Sequence, residues 1–118
     1  MNLYKVIHIR PSNKRLNMVL RTPGDYEELA IEWQYQMILI LKEKLSIFSV
    51  DEDRAKEIVG EFAFDLTMLH DQEEIKVNEK TYNPSISFDD FNRNLISSDH
   101  DSELHEYAFG STSEAYDE

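Results

Sequence analysis

TPGDYEELAIEWQYQMILILKEKLSIF, running from Thr22 to Phe48, decides the fold. Thr22 can accept a backbone hydrogen bond as N-cap, Pro23 suits the first helical position, where its missing N–H is harmless, and Asp25 favours the positive helix end. Beyond them Tyr26, Leu29, Ala30, Trp33, Met37, Ile40 and Leu41 share one helical face, and Ile31, Tyr35, Ile38 and Leu45 widen it. Only Glu28, Glu32, Gln36 and Glu43 form a polar strip. A helix apolar over so wide an arc needs cover on two sides. This predicts a core helix over residues 23–48, lying between a sheet and a second helix or forming a homodimer contact.

Downstream, Ser49 or Asp51 can cap a second helix that ends near His70, with Asp51, Glu52 and Asp53 in its first turn, where carboxylates are favoured. Its main apolar face reads Ala55, Ile58, Val59, Phe62, Leu66 and Leu69, and Gly60 lies off that face. After Asp71 the pattern becomes strand: Glu74 to Val77, an Asn78-Glu79 turn, then Lys80 to Tyr82. That turn sets Val77 opposite Lys80 and Ile75 opposite Tyr82. Pro84 enforces an edge or break, Ile86 and Phe88 suit a short third strand, and Asp89-Asp90 can cap a short helix holding Phe91 and Leu95.

Upstream, Leu3–Arg10 and Leu16–Arg21 alternate around a turn at Pro11, Ser12 and Asn13, the pattern of a β-hairpin with Lys14 and Arg15 at its tip. The fold class is therefore α+β in ββααββ order, two long helices packed on a small antiparallel sheet built from an N-terminal and a C-terminal hairpin. Residues 1–96 form a single domain. Residues 97–118 contain no Lys or Arg and few large apolar groups, the composition of an acidic, mobile tail.

Charge is distributed unevenly. The chain carries 12 basic and 24 acidic residues, a net charge of −12, and the basic Lys5, Arg10, Lys14, Arg15 and Arg21 precede every acid. So negative a molecule is repelled by nucleic acid and anionic lipid, which leaves the basic hairpin as the one segment suited to phosphate contact. No stretch approaches the ~20 apolar residues of a membrane span, and with no cysteine there is neither a disulfide framework nor a thiolate zinc site. A cytoplasmic location is the expectation.

The sharpest pattern lies on the second helix. Asp53, Glu57, Glu61 and Asp65 recur every four residues and line one side, and helical phase sets Phe64 and Met68 within that stripe. An apolar centre ringed by carboxylates suits a protein interface for a basic partner; the alternative is that Phe64 and Met68 pack beneath the second hairpin or the tail while the acids are merely solvated. The function expected is a small non-enzymatic protein-binding module, one concrete form being an inhibitor or immunity-type protein for a nuclease-like partner. A second reading is a nucleic-acid-associated regulator using Lys14, Arg15 and Arg21, although those cations can equally neutralise acids within the fold.

An enzyme is the weakest reading. A metal-dependent hydrolase would have to use His70, or His100 with His105, yet a spacing of five residues separates the last two on any helix and no thiolate assists. There is no glycine-rich phosphate loop and no serine nucleophile motif. No residue is assigned to catalysis, to a metal or to a cofactor.

Overall fold

A computed structural model describes residues 19–21, 24–98 and 103–117. In chain order these form strand β1 (Val19–Arg21), helices α1 (Tyr26–Ile47) and α2 (Glu52–Asp71), strands β2 (Ile75–Val77), β3 (Lys80–Tyr82), β4 (Phe88–Asp89) and β5 (Asn94–Ile96), a 3-10 turn (Leu104–Tyr107) and helix α3 (Ala108–Asp117). The predicted strand Leu3–Arg10, the hairpin tip Lys14 and Arg15, and the helix-start residues Thr22 and Pro23 lie outside the described residues. Mixed helix and sheet is the architecture, and among the described residues no helix is long and apolar enough to cross a membrane.

The hinge between α1 and α2 is built by backbone hydrogen bonds. Ser49 N–H reaches the Ser46 carbonyl at 3.0 Å and Val50 N–H the Leu45 carbonyl at 3.0 Å, the paired bonds of a Schellman motif, with Ser49 at φ 63° where glycine is usual. Two residues on, the Asp51 carboxylate accepts from Arg54 N–H at 3.0 Å and starts α2. Asp51 is thus the N-cap, and Ser49 closes the preceding helix instead.

The alternation pattern predicts one antiparallel sheet joining both hairpins. Instead the described residues form two sheets: among them β2 and β3 pair only with each other, while β1 runs parallel to β5, which pairs antiparallel with β4. The β2–β3 register sets Ile75 opposite Tyr82 and Val77 opposite Lys80, and its turn holds Asn78 and Glu79 at φ 52° and 65°. A type I′ turn demands positive φ at both positions, and its twist matches the strands it joins.

No helix forms at Asp89-Asp90. The Asp90 carboxylate accepts from the backbone N–H of Asn92 at 2.7 Å and Asn94 at 3.2 Å and from the Asn94 side chain at 2.8 Å, folding a tight turn in which Phe91 and Arg93 take φ 66° and 73°. A side chain that satisfies nearby backbone donors competes with the helix it might have capped.

Residues 103–117 also depart from the expected solvated tail. Leu104, Ala108, Ser111, Thr112 and Ala115 are buried, so the 3-10 turn and α3 close a three-helix core with Ile38 of α1 and with Val59 and Ala63 of α2. At the far end of α3, Lys42 donates to the Ala115 carbonyl at 2.7 Å with its ammonium 4.8 Å from the Tyr116 ring centroid. A cation at a helix C-terminus meets the negative end of the helix dipole.

This docking rotates α2 away from its expected orientation. The buried side holds Ala55, Val59, Gly60, Ala63, Thr67, His70 and Asp71, leaving Ile58 and Phe62 exposed. The reason is steric. A Cβ on Gly60 would stand 3.0 Å from the Phe109 ring, so the small residues mark where α3 approaches α2 most closely. A second cluster, Tyr26, Ala30 and Leu104 with Trp33, Phe88 and Ile96, binds the β1–β5–β4 sheet to the N-terminal end of α1.

Candidate functional site

α2 and α3 enclose a groove of about 540 Å³. Asp51, Asp53, Arg54, Lys56, Glu57 and Glu61 line its α2 side, and Phe109, Thr112 and Ser113 its α3 side. The four carboxylates are solvent-facing, because α2 turns its small residues inward and its acid stripe outward. Of the two cations, Lys56 is engaged with Asp117, the last residue of α3, at 3.4 Å. The Thr112 hydroxyl is committed to the Ala108 carbonyl at 2.8 Å. The groove therefore offers an excess of negative charge around one aromatic wall.

That wall is Phe109, 50 % exposed. Its ring stacks on Phe64 with centroids 5.6 Å apart, and Phe64 meets the His105 ring edge-on at 5.7 Å. Phe64 and Met68 are both half-buried, so the apolar centre expected at these positions lies one layer out, on a residue of the segment read as tail. Asp53, Glu57 and Glu61 share the groove, while Asp65 is exposed on α2 but does not line it. Phe109 was hidden in a segment of low apolar content; the i, i+3, i+4, i+7 series Ala108, Ser111, Thr112, Ala115 is the signal that would have revealed its helix.

At the C-terminal end of α2 lies a buried polar clamp. Asp71 stands at the end of α2 with its Oδ1 2.9 Å from His70 Nδ1 and its Oδ2 2.6 Å from His105 Nδ1, and Oδ2 also accepts from His105 N–H at 2.7 Å. Facing a carboxylate, each Nδ1 carries the proton. His70 Nε2 is buried and has no hydrogen-bond partner among the described residues. Gln34 on α1 completes the attachment by donating to the Leu104 carbonyl at 3.0 Å. Burial, followed by the charge of Asp71, raises the Tyr26 phenol above its ordinary value, and its hydroxyl donates to the Ile86 carbonyl at 2.8 Å.

The two histidines assembled here are His70 and His105; His100 lies outside the described residues. Among the described residues no group of three or more His, Cys, Asp or Glu side chains is arranged to hold a metal ion. Of the basic set, Lys14 and Arg15 lie outside the described residues, and Arg21 is in β1, far in sequence from the groove residues. No family model, curated protein sequence or solved structure matches the chain.

Proposed function

We propose that this chain is a small non-enzymatic binding module whose α2–α3 groove engages a basic protein partner. One observation carries this reading: Asp51, Asp53, Glu57 and Glu61 rim a groove whose exposed wall is the ring of Phe109. Carboxylates around an aromatic attract and orient a Lys- or Arg-bearing surface, and the ring supplies apolar contact and a face on which a guanidinium stacks. An inhibitor or immunity-type protein for a nuclease-like enzyme is the concrete form, since a carboxylate-rich surface can occupy a phosphate-binding cleft.

The test compares the full-length chain with its Glu57→Lys/Glu61→Lys variant as baits in native lysate, with bound proteins identified by mass spectrometry and nucleic acid stained in parallel. Wild type is expected to retain basic proteins that salt releases, and the variant to lose them. Equal capture by the variant, capture of acidic proteins only, or nucleic acid as the sole bound species would each sink the reading.

A further inference from the structure

At the hinge end of the helical hairpin, Ile40, Ile47 and Phe48 are 58 %, 60 % and 77 % exposed, and Ile58 and Phe62 are 39 % and 46 % exposed. Ile40 and Ile47 are seven residues apart and Ile58 and Phe62 four apart, so each pair shares one side of its helix. The short hinge at Phe48–Asp51 sets the C-terminal half of α1 beside the N-terminal half of α2. At 100° per residue, Ile58 and Phe62 lie roughly 160–200° around α2 from Gly60, the point of closest approach to α3. On α1, Ile40 and Ile47 lie roughly 140–160° from Lys42, which holds the end of α3. The sheet packs against the other end of α1, through Tyr26 and Trp33. Five large apolar side chains thus form one face at the hinge end of the hairpin.

We propose that this face pairs with the same face of a second copy about a two-fold axis, two helical hairpins closing into a four-helix arrangement. Size supports it. At roughly 200 Å² per large apolar side chain these exposures amount to on the order of 500 Å² per protomer, and two-fold pairing removes on the order of 1,000 Å², where specific association begins. Charge supports it as well. Exposed charges of both signs border the patch, Glu43 and Lys44 on α1 and Arg54, Glu61 and Asp65 on α2, so a two-fold axis can set unlike charges opposite one another around the apolar centre. A basic partner is better served by the groove.

The net charge of −12 gives the dimer a signature of its own. Like-charged copies repel at low ionic strength, so salt tightens an apolar self-contact, whereas it loosens the attachment of a basic partner to the groove. The two proposals can therefore fail separately.

Sedimentation velocity on the full-length chain, over a range of concentrations and from low salt to about 1 M, where the Debye length is about 3 Å, decides the matter. The expected result is a discrete monomer–dimer equilibrium that strengthens with salt. Phe48→Glu/Phe62→Glu should weaken it by at least about ten-fold, Ile47→Ser less so, and Phe91→Ser on the β4–β5 turn not at all, with circular dichroism confirming that each variant keeps its helices. A chain monomeric under every condition, association that weakens with salt, open-ended aggregation in place of a dimer, or a dimer indifferent to both face variants overturns the proposal.

Discussion

The carboxylate of Asp71 holds His105 twice, at the backbone N–H and at the ring Nδ1, while its other oxygen faces the ring of His70. One side chain at the end of α2 thereby fixes the start of the segment that supplies Phe109 to the groove. The arrangement works because the Asp71 side chain is fully buried, where a carboxylate must find donors and donors must find an acceptor.

Asp71→Ala is expected to destabilise the protein by about 3 kcal/mol, since three donors lose their acceptor at once. Asp71→Asn should cost less, because one oxygen remains. Urea unfolding followed by circular dichroism measures both, and hydrogen exchange at residues 108–117 should rise first. A loss under about 1 kcal/mol for the alanine variant would show that the clamp is not needed to seat α3.

Gly60→Ala is expected to depend on Phe109. Alanine gains about 1 kcal/mol of helix propensity over glycine, but its Cβ would meet the Phe109 ring at 3.0 and 3.1 Å and push it toward the groove. In a Phe109→Ala background that obstacle is gone and the full gain should appear. A double-mutant cycle reading no coupling between the two positions would contradict the close approach.

Five described non-glycine residues sit in left-handed backbone at exposed positions, among them Ser49 at φ 63° and Phe91 at φ 66°. Phe91 is 91 % exposed, so little packing is lost by removing its ring. Ser49→Gly and Phe91→Gly should each raise stability by about 0.5–1 kcal/mol, the relief of a left-handed conformation less the added chain entropy. Chemical denaturation midpoints test this, and a fall in stability at either site would refute it.

Stability should be pH-dependent at both extremes. Hydrogen bonds from the Asn94 side chain and the Asn92 backbone hold the Asp90 carboxyl below its ordinary 3.8. A depressed folded value means the contribution is present above the unfolded pKa and is lost as pH falls through the folded one. Asn94→Ala should move the Asp90 titration, read by carboxyl NMR, back upward. At the alkaline end Tyr26 and Tyr116 are raised chiefly by burial and Tyr107 chiefly by its hydrogen bond to Glu27, so the neutral phenols stabilise the fold below pH 10 and that support fades above it. Ultraviolet titration should show these three ionising late, and Glu27→Gln should advance Tyr107.

The helical hairpin and the β2–β3 register were legible in the sequence because each rests on local chemistry: Asp51 caps α2, and Asn78-Glu79 sets Ile75 against Tyr82. The β4–β5 turn was not, since it places Phe91 and Arg93 at positive φ without a glycine to announce it. α3 escaped because Ala108, Ser111, Thr112 and Ala115 keep the helical period with small, partly polar residues, which read as solvent-loving until α2 offers Gly60 and Ala63 to receive them. The same small residues turned α2, so Ile58 and Phe62 faced outward and Phe109 replaced Phe64 and Met68 as the exposed apolar wall. The acid stripe itself was readable throughout, because exposure of a charged helical face needs no long-range contact to enforce it.

The Asp71 clamp also orders events in time. Asp71 precedes His105 by 34 residues, so during synthesis α1 and α2 can pair while the end of α2 is still hydrated and its carboxylate unclaimed. Only when residues 103–117 emerge are Val59, Gly60 and Ala63 covered and Phe109 brought to the groove. A chain cut short before that stretch would carry its acid stripe but neither the aromatic wall nor a sealed core, and so would be distinguishable, to a protease or a partner, from one that has it.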